Sequence, residues 1–135
     1  MARTAALKAT EADILRLRQS VEKLEEGLKR ENEEDILRFG GQFRSQLYTI
    51  SGNATVEHLL NMVNDRVQRY RMLILKNKLA KSKTMAAEHR RILACIEKQD
   101  GDGAEHAMRE HILSFKDETA RGVEQRLEES GNVAE

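Results

Sequence analysis

Glu88-His89-Arg90-Arg91-Ile92-Leu93-Ala94-Cys95-Ile96, a break at Asp100-Gly101-Asp102-Gly103, and then Ala104-Glu105-His106-Ala107-Met108-Arg109-Glu110-His111 decide how this chain folds. In the first segment His89, Ile92, Leu93 and Ile96 recur at helical spacing, and in the second Ala104, Ala107, Met108, His111 and Phe115 do the same. The Asp-Gly-Asp-Gly stretch between them reads as a tight connection joining antiparallel helices. His89 and His111 each lie eleven residues from Asp100, so closing the hairpin brings both to one level of a shared seam. An imidazole in an apolar seam carries ring nitrogens that need partners. A small ligand or a metal between the two helices would supply them.

Outward from this hairpin, the rest of the chain follows the same period. Residues 1–9 read as the remnant of a first helix, with Ala5, Ala6 and Leu7 as its apolar side. Thr10 with Asp13 three residues on resembles a capping box. Ile14, Leu17, Val21, Leu24 and Leu28 then make an amphipathic stripe. Ile36, Gly40, Phe43, Leu47 and Ile50 mark the next helix, which Ser51-Gly52-Asn53 ends through the left-handed conformation glycine tolerates. Val56, Leu59, Leu60, Val63, Val67, Tyr70 and Ile74 mark a long helix after that, fading near Lys78 to Lys83. From Glu129 on the chain is polar, and residues 129–135 are expected to fray. No segment alternates with period two for long enough to build a sheet, so the fold class is all-α, an antiparallel helical bundle spanning 10–128.

Composition narrows the function. With 135 residues the chain makes one domain, and 34% charged against 4% aromatic residues suits narrow apolar stripes on charged helices. Basic and acidic residues balance at 23 each, which removes the electrostatic footprint of a nucleic-acid grip by this chain itself. Cys95 is the single cysteine, placed among Ile92, Leu93 and Ile96, and reads as a small buried hydrophobe in a reducing cytoplasm. No segment has the length of a membrane span or the form of a signal peptide, so no membrane partner is expected. Neither a Glu-x-x-His bundle motif nor a phosphate-cradling glycine loop nor a His-Glu-x-x-His motif is present, and the chain is read as no enzyme. His58 and His106 fall off the apolar stripes and read as surface residues; the basic run Arg66, Arg69, Arg71, Lys76, Lys78, Lys81 and Lys83 reads as a solvated face, one of whose arginines could reach a pocket.

Four blocks in order resemble the FCD domain, the helical C-terminal ligand-binding half of FadR-type members of the GntR family of bacterial transcription regulators. They are Thr10-x-x-Asp13-Ile14-x-x-Leu17; Phe43-Arg44-Ser45-Gln46-Leu47 running into Ser51-Gly52-Asn53; Glu88-His89-Arg90-x-Ile92-x-x-x-Ile96-x-x-x-Asp100; and Ala104-x-x-Ala107-Met108-x-x-His111-Ile112. The resemblance runs from about Thr10 to Phe115 and implies an effector-sensing bundle, truncated at its first helix. It also implies a homodimer paired through helices near the N-terminus. DNA binding would come only through a winged helix-turn-helix domain missing from this chain, which is therefore expected to be a fragment or an unusually short product.

The same resemblance implies a divalent transition metal held by an Asp and a His four residues apart on one helix, with one His from each hairpin helix. His89 and His111 stand at the two hairpin positions, but Gly40 stands in place of the Asp and Arg44 in place of the His. Two imidazoles alone hold a metal weakly, and Arg44 adds a permanent positive charge; no cofactor is therefore expected, and a metal on His89 and His111 is disfavoured. The expectation is instead that the Arg44 guanidinium pairs directly with a small carboxylate or phosphate-bearing effector, His89 and His111 adding hydrogen bonds and Gly40 leaving room. The alternatives are a degenerate pocket with Arg44 in solvent, histidines bonded to each other or to a buried water, and a ligand-free helical dimerisation or interaction module.

Overall fold

The computed structural model describes residues 1–74 and 79–133, and side chains outside 71–81, 118, 119 and 133. Among the described residues six helices follow one another, with no strand: α1 (Ala2–Lys8), α2 (Glu11–Lys29), α3 (Glu33–Ser51), α4 (Ala54–Ile74), α5 (Leu79–Glu97) and α6 (Gly101–Val133). Each early boundary has a visible cause. Thr10 accepts a hydrogen bond from the Asp13 backbone while the Asp13 carboxylate accepts one from the Thr10 backbone, a closed capping box. Asn32 caps α3 through the Asp35 backbone, and Gly52 ends α3 at φ 79°, where a side chain would be strained.

The core is a layer of α1, α2, α3, α5 and the first half of α6. Leu17 and Val21 from α2, Phe43 and Leu47 from α3, Ile92, Leu93 and Ile96 from α5, and Ala104, Ala107 and Met108 from α6 pack in one buried cluster. Alanines at 2, 5 and 6 let α1 lie close against it. Cys95 is half-buried at the edge of this cluster and free. Ion pairs pin the outside: Arg90 grips Glu25 of α2 with two 2.8 Å bonds, Arg18 reaches Glu97, and Arg3 bonds Glu105 on α6. No helix among the described residues is long and apolar enough to cross a membrane.

One expectation needs correction. The Asp100-Gly101-Asp102-Gly103 stretch is not the turn; its last three residues form the first turn of α6. The turn lies one step earlier, where Gln99 takes φ 55° and Asp100 N–H reaches back to the Cys95 carbonyl at 2.9 Å. Asp100 then caps α6, its carboxylate accepting from Gly103 N–H at 2.9 Å. A Cβ at Gly103 would collide with that carboxylate, so the glycine serves the cap. At the C-terminus, α6 is helical through Ser130, Gly131 and Asn132. Residues 134 and 135 lie outside the described residues.

Helix α4 sits against α3 by its polar side. Glu57 accepts from the Thr49 hydroxyl, Asn61 from the Ser45 hydroxyl and Asn64 from Arg44, while Gln68 donates to the Leu37 carbonyl. Gly41 makes room for this approach, because a Cβ there would collide with the Gln68 amide. The apolar residues Val56, Leu59, Met62, Val63 and Tyr70 are consequently turned outward and exposed, Leu59 by 54% and Tyr70 by 59%. Of the rest of that stripe, Leu60 and Val67 are half-buried and the Ile74 side chain lies outside the described residues. The side chains of Arg71, Lys76, Lys78 and Lys81 lie there too, whereas Arg66, Arg69 and Lys83 are exposed.

Candidate functional site

The hairpin brings His89 and His111 together inside the bundle. Both are buried, and their Nε2 atoms lie 3.3 Å apart, with ring planes at 68°. On the far side of His111, Nδ1 meets the Glu88 carboxylate at 2.5 Å. With Glu88 ionised, Nδ1 of His111 donates to it; a neutral His111 then offers the Nε2 lone pair to the Nε2–H of His89. The chain Glu88–His111–His89 is thus a directed relay of hydrogen bonds from the half-buried rim of α5 into the core. Phe43 of α3 stacks on the His89 ring, centroids 4.8 Å apart and planes 21° from parallel, which fixes the ring's orientation.

Gly40 lies one turn before Arg44 on α3 and adjoins the same ring. A Cβ built there would meet His89 Cε1 and Met85 Cε at 3.5 Å each. These are ordinary contact distances, so the position accepts the first atom of a side chain, while the space beyond is bounded by the methylthio group of Met85. His58 and His106 stand on the surface, His106 beside Glu110.

Arg44 is the unusual group. It is only 7% exposed, deep between α3 and α4, and its Nε donates to Asn64 Oδ1 at 3.1 Å. Nη1 and Nη2 are both buried without a hydrogen-bond partner. Burial pushes the guanidinium down to about 10, opposed by the nearby Tyr48 phenol. It therefore remains charged at neutral pH. A buried cation with two unused donors is costly, and its planar fork is shaped for a two-oxygen anion. Asn64 also lines an open groove of about 530 Å³ between α3 and α4, with Arg38, Gly41, Gln42, Ser45, Asn61, Asp65 and Gln68. The groove carries four carboxamides, and the Gln68 Oε1 beside it is buried without a partner.

The metal implied by the family resemblance can be tested against these residues. Two imidazole nitrogens on a tetrahedral ion at about 2.0–2.1 Å would sit about 3.3 Å apart, the separation His89 and His111 show. Glu88 on the far nitrogen of His111 would suit a metal-bound ring as well. The set stops there. Gly40 brings no donor, Arg44 brings a cation, and among the described residues no group of three or more His, Cys, Asp or Glu is placed to hold a metal. The residues present do not fit a resident metal.

Sequence reasoning named His89, His111, Gly40 and Arg44 and missed their partners. Glu88 stood beside His89 in the decisive stretch, yet which way it faces depends on the hairpin closing. Asn64 belongs to the polar series Glu57, Asn61, Asn64 and Gln68, whose spacing of four, three and four was legible as a helix face. Met85 and the stacking of Phe43 left no sequence signal beyond helical spacing.

The comparisons with known proteins place this arrangement. The profile of the FCD domain family matches residues 1–114. In fold the chain is similar to E. coli McbR/YncC, with a TM-score of 0.78 at 18% identity over 93% of this chain and 58% of that one. The chain thus spans less than two thirds of that protein's length. No curated protein matches the sequence. Profile and fold agree on one conclusion: the chain belongs to the FCD domain family, the helical ligand-binding domain of GntR-type transcription regulators.

Proposed function

We propose that this chain is the effector-sensing domain of a cytoplasmic GntR-type regulator and binds a small organic acid inside the bundle, with Arg44 as the principal ligand-binding residue. His89, His111 and Gly40 shape the neighbouring wall. The supporting observation is the buried guanidinium of Arg44, whose Nη1 and Nη2 have no partner. An acid that binds only the folded chain shifts the population of its conformations. In a full regulator that shift would change the spacing of two winged helix-turn-helix domains on DNA. The role is regulatory, with no catalytic step assigned.

The test is a thermal-shift screen with small carboxylic acids on the wild type and on Arg44→Met. A ligand specific to the folded state raises the melting temperature. The expected result is a concentration-dependent rise for at least one acid in the wild type and none in Arg44→Met. Equal rises in both proteins would contradict the site.

A second reading, pairing through α4, is favoured by its outward apolar stripe. Val56, Leu59, Met62, Val63 and Tyr70 together expose roughly 500 Å² of side chain, more than half of the ~800 Å² per partner in a standard interface. A second copy presenting the same face would cover it in a two-fold contact, a different pairing from the N-terminal one that the family resemblance implies. Sedimentation of Leu59→Glu/Val63→Glu should give a monomer where the wild type gives a dimer; two identical profiles would remove α4 from the interface.

A further inference from the structure

We infer that Arg44 is the resident cation of this site, replacing a metal outright, and that the domain receives a monocarboxylate end-on through Nη1 and Nη2 without any metal ion. This rests on the sensing reading above and narrows it to a charge type and a geometry.

Three observations converge. Asn64 holds Nε at 3.1 Å, which fixes the guanidinium plane and leaves the edge between Nη1 and Nη2 unused. That edge presents two parallel N–H donors, the match for the two oxygens of one carboxylate. Next, among the described residues no buried counter-charge stands beside Arg44: α4 contributes the carboxamides of Asn61, Asn64 and Gln68 to the adjoining groove, its one carboxylate there, Asp65, is exposed, and Glu88 is committed to His111. The site thus lacks one negative charge, which a monocarboxylate supplies and a phosphate dianion exceeds. Third, Arg44 stands one helical turn from Gly40, the residue against the His89 ring. A divalent ion bound by the two histidines would face a fixed positive charge from the same helix face that offers it no donor.

The geometry also says how to reverse the substitution. The space at Gly40 admits a Cβ at 3.5 Å from His89 Cε1. Gly40→Asp together with Arg44→His therefore puts a carboxylate and an imidazole on the face that meets the hairpin histidines, four donors of the kind zinc takes.

The experiment uses acetate, benzoate, inorganic phosphate and zinc chloride as probes at fixed ionic strength. It reads melting temperature with and without EDTA, and bound metal by equilibrium dialysis with elemental analysis. For the wild type we expect acetate or benzoate to raise the melting temperature equally in both buffers, and far less than one equivalent of zinc to be retained. Arg44→Lys keeps the charge but loses the fork, and should weaken the acid by roughly tenfold or more. Gly40→Asp/Arg44→His should lose the acid response and retain about one zinc; should that variant fail to fold, the wild-type and Arg44→Lys arms still decide. One equivalent of zinc in the wild type, or an acid response abolished by EDTA, overturns the metal-free inference and leaves the sensing reading standing. A response to phosphate and to neither carboxylate overturns the ligand class. Silence toward every acid, with and without zinc, overturns the sensing reading and the inference together.

Discussion

Helices α2 and α4 have similar lengths and similar amphipathic stripes, yet they present opposite faces to the bundle. Leu17, Val21 and Leu24 of α2 are fully buried. The corresponding apolar residues of α4 are turned to solvent, while Glu57, Asn61, Asn64 and Gln68 bond to α3. An apolar stripe therefore states that a face must be covered, without stating by what. In α2 the cover is this chain's own core; in α4 the described residues leave the stripe exposed. The polar contact has its own consequence, since it lets Arg44 be buried at the α3–α4 junction beside amides instead of being expelled by hydrocarbon.

The sharpest way to break this contrast is to delete the same group from both helices. Leu17→Ala should lose about 2–5 kcal/mol of stability in urea unfolding, as a fully buried leucine does. Leu59→Ala should stay within about 0.5 kcal/mol in the monomer, with any loss growing with protein concentration if two copies meet there. Equal losses at high dilution would mean that α4 is packed as α2 is.

Arg44→Met comes next, with the opposite sign. Burial holds the guanidinium near 10, well below its ordinary value, so the folded chain binds that proton more weakly than the unfolded chain. The charged form thus costs stability at all pH values below about 10, and the cost lifts as pH rises above that value. Replacing Arg44 by Met should stabilise the ligand-free protein by roughly 1–3 kcal/mol at neutral pH, read by the same unfolding curves. A large loss would make Arg44 a structural prop.

Asn61→Ala tests the polar seam itself and should cost about 1 kcal/mol, the worth of the Ser45 hydrogen bond it removes. The smallest effect belongs to α2's cap. Thr10→Ala should cost about 0.5–1 kcal/mol at pH 7. The Thr10 backbone N–H holds the Asp13 carboxyl below its usual range, helped by the Thr10 hydroxyl and Arg16. The carboxylate's share of the cap is therefore present above the usual carboxylate range and is lost as pH falls through the lowered value. Unfolding of the wild type and Asp13→Ala measured from neutral pH down to about pH 3 should show their difference shrinking.

Much of this architecture was written locally. The Thr10 cap, the glycine stop at position 52 and the convergence of His89 with His111 follow from spacing and turn chemistry within a few residues. The α5–α6 turn shifted by a step because Asp100 captures Gly103 N–H and turns a nominal breaker into a helix start. The direction in which α4 faces was not legible, since its polar and apolar stripes were both regular and only α3 chooses between them. The partners of the site were hidden for the same reason: Asn64, Met85 and Glu88 become neighbours of Arg44, Gly40 and His111 only after four helices have packed.

The most direct measurement is nitrogen-detected NMR of the arginine guanidinium groups during a titration with benzoate. A buried Arg44 should give resolved, slowly exchanging Nη signals that identify it against the surface arginines, and Arg44→Lys should remove them. The account predicts that these signals shift and saturate as the carboxylate seats on both nitrogens, with the same curve in the presence of EDTA. Shifts confined to the other arginines, with the Arg44 signals unmoved at saturating benzoate, would contradict it.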